Sequence, residues 1–260
     1  MAIESTEAVA LKLFNWSESS RTIVLLTRRF GRIAVQDKGG RSLKSKRGRI
    51  LPFAVHDLAF YQGEGERSNY LSSVDTLRIF TFAADGSLGK LAYGSAANEL
   101  CVTLLPEEEA HPEIYSYLLT LYEHLEVADR LALPGLFLTF LLRSASLLGY
   151  HPQLNFCAEC GRPLPETETL DWTFEPERGG IVCPSCVAFT ASYIPVSPTD
   201  LVTLAKYQRA SLADADSMQL PFEQGQRLLE IMLRFLQYHA GVNSQLKALG
   251  FLDKLKRAQN

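Results

Sequence analysis

Apolar and polar residues alternate with a period of two over the first eighty residues of the chain and with a period near 3.6 over most of the remainder. Val9, Leu11 and Leu13 alternate with Ala8, Ala10, Lys12 and Phe14; Thr22 to Thr27 is almost continuously apolar; Ile33 and Val35 alternate with Arg32, Ala34 and Gln36. Leu51 to Tyr61 and Tyr70 to Val74 add a fourth and a fifth candidate strand, separated by Gly63-Glu64-Gly65-Glu66. Five short strands bounded by turn residues suit a five-stranded Greek-key barrel of the oligonucleotide-binding (OB) type, although other small β-barrels share the pattern.

From about residue 86 the pattern becomes helical. Tyr93, Ala97, Leu100, Cys101 and Leu104 share one helical face, which makes Cys101 a core thiol by position. Pro112 opens a second helix with a stripe of Ile114, Tyr117, Leu118, Leu121 and Leu125; Pro134 opens a third, apolar on most sides, which ends at Gly149. Further along, Ser197-Pro198-Thr199-Asp200 starts a helix carrying Leu201, Leu204 and Ala205, and Pro221 starts another lined by Leu228, Leu229, Met232, Phe235, Leu236 and His239. Leu246, Leu249 and Leu252 mark a last helix. The expected fold class is therefore α+β and multidomain: a barrel over 1–82, a helical domain over 83–150 that resumes over 194–260, and an insertion over 151–193.

The insertion carries the most specific chemistry in the chain. Cys157 and Cys160 form one Cys-x-x-Cys pair, Cys183 and Cys186 a second, and Trp172 to Phe174 with Ile181-Val182 read as a hairpin that returns the second pair to the first. Two such knuckles suit one structural zinc ion held by four thiolates. A redox pair or two disulfides would need a strand-to-helix setting or a secreted chain, and neither context is present. His124-Leu125-Glu126 ahead of Cys157-x-x-Cys160 superficially suits a zinc deaminase. That reading leaves Cys183 and Cys186 unused, has Phe156 where the deaminase signature has proline, and sets the His and Glu beside the apolar stripe of a helix. No phosphate-binding loop, His-Glu-x-x-His or Gly-x-Ser-x-Gly motif occurs, so no enzyme is expected.

Charge changes the picture at one place. The formal net charge is only -3. Between Arg28 and Arg49, however, nine basic residues (Arg28, Arg29, Arg32, Lys38, Arg41, Lys44, Lys46, Arg47, Arg49) face one acid, Asp37, leaving 17 basic against 28 acidic residues elsewhere. A small cationic patch on an anionic body steers a polyanion to one place, and a glycine- and serine-containing loop from Lys38 to Arg49 suits contact with nucleic-acid phosphates. Trp16, Phe30, Phe53, Phe60 and Tyr61 are candidates to stack bases, or to fill the barrel. The most apolar run, Leu131 to Leu148, is broken by Pro134, Arg143, Ser144 and Ser146, and the amino terminus lacks a signal-peptide pattern, so a cytoplasmic protein without membrane contact is expected.

Four stretches together resemble the bacterial RecO family of DNA repair and recombination mediators: Ser19 to Thr27 with Gly31-Arg32-Ile33; Lys38-Gly39-Gly40-Arg41; Leu148-Gly149-Tyr150-His151-Pro152 leading to Cys157-x-x-Cys160-Gly161; and Tyr238-His239-Ala240-Gly241 with Leu246 to Leu249 and Phe251-Leu252. The resemblance implies an OB barrel, a helical domain and a zinc module that some members lack. It implies a nucleoid-associated, non-catalytic protein that binds single- and double-stranded DNA, anneals complementary strands and helps load RecA onto strands coated by single-strand-binding protein. RecR and the acidic tail of single-strand-binding protein are the implied partners. The competing reading is a zinc-stapled protein adaptor that never touches DNA and grips an acidic partner with its basic patch.

Overall fold

A computed structural model describes residues 2–40, 48–63, 68–83, 87–165, 172–187, 193–242 and 246–259. Its first five strands, β1 (Ile3–Asn15), β2 (Arg21–Thr27), β3 (Gly31–Asp37), β4 (Ala54–Tyr61) and β5 (Asn69–Ile79), close into a barrel of order β1-β2-β3-β5-β4. All neighbours are antiparallel except β3 and β5, which meet in parallel over Val35–Asn69 and Gln36–Tyr70 alone. This order, with one short parallel closure, is the OB arrangement expected from the alternation.

The barrel interior is filled by Ala8, Ala10, Ile23, Leu25, Ile33, Val35, Ile50, Leu58, Phe60, Leu71 and Val74. One detail departs from the simple alternation. In β1 the inward residues are Ala8 and Ala10 and then Leu13, because the register shifts between Ala10 and Lys12 and the bulged residue exchanges the two faces. Val9 is nonetheless fully buried, since helix α1 (Leu88–Leu104) packs on the outer side of β1.

Two compact units divide the chain: residues 1–127 with 247–260, and residues 128–246. The helices are shared between the two units. The first unit joins the barrel to α1, to α2 (Pro112–Val127) and to α7 (Lys247–Gln259), which lies along α1. Phe53, Phe80, Phe82 and Tyr122 meet at its heart, edge to face except for the tilted Phe82–Tyr122 pair, with centroids 4.9 to 5.6 Å apart. Cys101 is buried there, and burial pushes its thiol up to about 12, as a core position demands.

The second unit is built on α3 (Leu133–Leu147), whose residues from Leu133 to Leu142 are all buried. Around it lie α4 (Pro198–Arg209), the short α5 (Leu212–Ser217) and α6 (Phe222–Ala240), and the unit also holds a three-stranded sheet of order β7-β6-β8 from β6 (Trp172–Glu175), β7 (Gly180–Val182) and β8 (Ile194–Val196). Ser197 caps α4 through the Asp200 amide, and α5, which the apolar pattern does not reveal, is nucleated by a reciprocal Ser211–Asp214 capping box. Six residues are too few to display a helical stripe.

Candidate metal centre and nucleic-acid interface

Two short backbone hairpins bring the four cysteines together. In the first, Phe156 pairs with Pro163, the Cys157 amide donates to the Arg162 carbonyl at 2.7 Å, and the Gly161 amide donates to Cys157 at 2.9 Å. Gly161 takes φ +71°, a left-handed conformation that glycine adopts without cost. The second knuckle repeats the bond: the amides of Cys186 and Val187 donate to the Cys183 carbonyl at 2.9 and 3.1 Å. The β6–β7 hairpin carries this knuckle to the first, where Ala158 donates to the Ile181 carbonyl at 2.8 Å.

The four sulfurs lie within 4.8 Å of one another, and Cys160 Sγ and Cys183 Sγ are 3.8 Å apart. Four sulfurs at about 2.3 Å from a tetrahedral ion stand about 3.8 Å from each other, so the cage has the dimensions of a thiolate-bound metal. Its electrostatics agree. Burial raises the Cys157 thiol, but hydrogen bonds from the backbone at Cys183, Cys160 and Glu159, with the Cys160 side chain, outweigh burial and hold it at about 6. Cys186, hydrogen-bonded by the side chains of Cys183 and Cys160, is pushed up to about 12. The Cys157 thiolate forms readily while Cys186 resists ionisation, a situation that a central cation relieves. Arg178 ties the cage together from outside: it bridges Glu159 at 3.2 Å and Glu175 at 3.1 Å and donates to the Cys186 carbonyl at 3.3 Å. From α6, His239 Nε2 sits 2.7 Å from the Pro176 carbonyl, so it serves as a packed histidine and not as a ligand. The Glu126 carboxylate accepts from the Thr81 amide and pairs with Arg78, and neither it nor His124 belongs to the sulfur cluster.

The basic stretch is distributed unevenly. Arg28 and Arg29 stand in the β2–β3 turn, exposed, and approach Glu7 at 3.4 Å and Glu4 at 4.0 Å. Arg32 on β3 is largely consumed by the fold: it donates to the Leu105 carbonyl at 2.8 Å and pairs with Glu107 at 2.9 Å. Asp37, the one acid of the stretch, is buried against Arg21 at 2.9 Å and so faces inward. Lys38 leaves the end of β3 with its ammonium over the Tyr70 ring, and Arg49 is exposed. Arg41, Lys44, Lys46 and Arg47 lie outside the described residues. Sequence reasoning missed the linker Glu107-Glu108-Glu109, which runs beside β3 and pairs Glu107 with Arg32; a run of acids reads only as a solvated turn.

Of the aromatic candidates, Phe53 and Phe60 are buried and Phe30 packs against the core, whereas Trp16 and Tyr61 are exposed. Phe14 and Tyr70 were not among the candidates, yet each lies at the barrel surface beneath a lysine.

Comparison with known proteins decides the family. The model of the recombination protein O N-terminal domain matches residues 1–80, and that of the C-terminal domain matches residues 86–249. The chain belongs to the RecO family. Among its relatives, the DNA repair protein RecO of Anaeromyxobacter dehalogenans is 29% identical over 248 residues, covering 95% of this chain and 94% of the relative. The RecO proteins of Anaeromyxobacter sp. strain Fw109-5 and Pelotomaculum thermopropionicum are 30% and 28% identical, covering 95% and 99% of this chain. A role in DNA repair and recombination follows from this membership. Among the described residues, no helix is long and apolar enough to cross a membrane.

Proposed function

We propose that this RecO protein is a non-catalytic recombination mediator of the cytoplasm that binds single- and double-stranded DNA through its barrel and the basic stretch Arg28 to Arg49. The observation that supports this reading is the concentration of nine basic residues in one stretch of sequence, Arg28 to Arg49, of a chain that has an OB barrel and whose remainder is anionic. Binding by phosphate contacts leaves base edges free. A cationic loop that screens two backbones at once lowers their repulsion and lets complementary strands anneal. Loading of RecA onto strands coated by single-strand-binding protein, with RecR and the acidic tail of that protein as partners, completes the proposal. The segment from Lys38 to Arg49, which has no acid in its sequence, is assigned most of the phosphate contact, with Lys44, Lys46 and Arg47 at its centre.

The cysteine cage is assigned one structural zinc ion, held by Cys157, Cys160, Cys183 and Cys186. With four protein ligands a zinc ion has no open position for water, so it supplies folding energy to the hairpin module. Four sulfurs also suit an iron–sulfur centre; elemental analysis finding one zinc per chain in a colourless protein supports zinc, and visible absorbance with iron overturns it.

A gel shift with bare single-stranded DNA at moderate salt tests the function. Binding, followed by accelerated annealing of complementary strands, supports the mediator. Absence of DNA binding with retained association to an acidic protein partner favours the adaptor.

A further inference from the structure

The barrel carries a row of outward side chains that the basic stretch does not explain. Register pairs Phe14 with Thr22, Thr22 with Gln36, and Gln36 with Tyr70, so one row crosses β1, β2, β3 and β5. Paired residues of neighbouring strands point to the same side of a sheet, and here that side is the outer one, since the intervening positions Ile23, Val35 and Leu71 fill the core. Phe14 is 45% exposed and Tyr70 is half-buried. Each ring has an ammonium over it: Lys12 lies 4.3 Å from the Phe14 centroid and Lys38 lies 4.5 Å from that of Tyr70. Between them Thr22, Gln36 and Ser68 line a hollow of about 150 Å³, with Gln36 donating to Ser68 at 2.9 Å and Glu107 and Glu108 on its rim.

The dimensions select the ligand. A hollow of this size falls well below the roughly 300–1,000 Å³ of a small-molecule pocket, so it takes the edge of a group and does not engulf one. Three strand spacings of about 4.8 Å separate the backbone positions of Phe14 and Tyr70 by about 14 Å along the curved barrel wall, so the two outward rings do not sandwich a single planar group. Two separate flat surfaces, each with a cation beside it, on a face joining the root of the basic segment, match a polymer that alternates aromatic planes with negative charges.

We propose that Phe14 and Tyr70 are stacking platforms for two bases of a single-stranded nucleic acid, with Lys12 and Lys38 on the flanking phosphates and the Gln36 hollow receiving a base edge between them. This rests on the DNA-binding reading above and adds to it a contact to bases, where the basic stretch supplies contact to phosphates. Stacking tolerates any base, so the platform holds a strand in a chosen path without reading its sequence.

The test separates bases from charge by comparing an oligothymidylate with an abasic phosphodiester strand of equal length. Trp16 is exposed two residues beyond Phe14, whereas Trp172, the other of the two tryptophans, is fully buried, so tryptophan emission reports binding at this face. The wild-type protein is expected to bind oligothymidylate at least about tenfold more tightly than the abasic strand. Phe14→Leu and Tyr70→Leu, at surface positions, should each weaken oligothymidylate binding by about tenfold and leave abasic binding unchanged, while Phe14→Trp restores it. Equal wild-type affinity for the two strands overturns the platform and leaves phosphate binding intact, as does an equal loss on both strands in the leucine variants. Failure of the wild-type protein to bind either strand overturns the DNA reading itself, and the platform with it.

Discussion

His56 is the clearest case in which one residue sets a property of the whole domain. It is fully buried in β4, with Nε2 3.1 Å from the Leu51 backbone and Nδ1 3.2 Å from Thr76. Burial lowers its pKa below the usual 6.5, helped by the nearby Arg21 charge and opposed by the Leu51 hydrogen bond. Between that depressed value and 6.5 the unfolded chain binds a proton that the folded chain refuses, so stability must rise with pH across this window and fall as the solution is acidified below about 6.5. Thermal melts from pH 7.5 to 5 should show that fall, and His56→Gln should flatten it; an unchanged pH profile in the variant would assign the loss to other groups. At the cysteine cage, Arg178→Ala removes the cation that joins Glu159, Glu175 and the Cys186 carbonyl. A loss of about tenfold in metal affinity is expected, measured by competition with a chelator.

At the scale of elements, the acidic linker and β3 hold each other in place. Glu108 donates its amide to the Arg32 carbonyl at 2.9 Å, and Gly31, at φ +68°, has the Glu109 carbonyl where a Cβ would stand, at 1.9 Å. Gly31→Ala should therefore cost about 2 kcal/mol or more, read from the denaturation midpoint, whereas Gly39→Ala, with open space around it but the same backbone sign, should cost less. The Cys157 and Cys183 knuckles depend on the β6–β7 hairpin in the same mutual way. Cys183→Ser is expected to lower the melting temperature and release the metal before it changes DNA affinity; a folded, stable variant that no longer binds DNA would give the metal a direct part in binding.

These elements also explain what the sequence could and could not reveal. The strands of the barrel, the helix starts at Pro112 and Ser197 and the pairing of the two cysteine knuckles were legible because each is written in local spacing. The inward turn of Ala8 and Ala10 was not, because the bulge at Leu11 exchanges faces without altering composition. Arg32 reads as a free cation in sequence, yet its partners, Leu105 and Glu107, lie more than seventy residues away and are found only by tertiary packing. Phe14 and Tyr70 escaped notice because a row across four strands leaves no linear pattern.

At the scale of the molecule, the central question is how much of the cationic charge is available to phosphates. Arg28, Arg29 and Arg32 already face acids, Asp37 is turned inward with Arg21, and the rest of the chain is anionic. The proposal therefore assigns phosphate contact mainly to the sequence from Lys38 to Arg49, which holds no acid. Such binding releases counterions, and the logarithm of affinity for a single strand should fall with the logarithm of salt concentration by about 0.7 per phosphate neutralised. The most direct measurement is this salt titration on the wild-type protein and on a variant carrying Lys44→Glu, Lys46→Glu and Arg47→Glu. The account predicts a steep slope for the wild-type protein and a markedly flatter slope with weaker binding for the variant; equal slopes and equal affinities would contradict it.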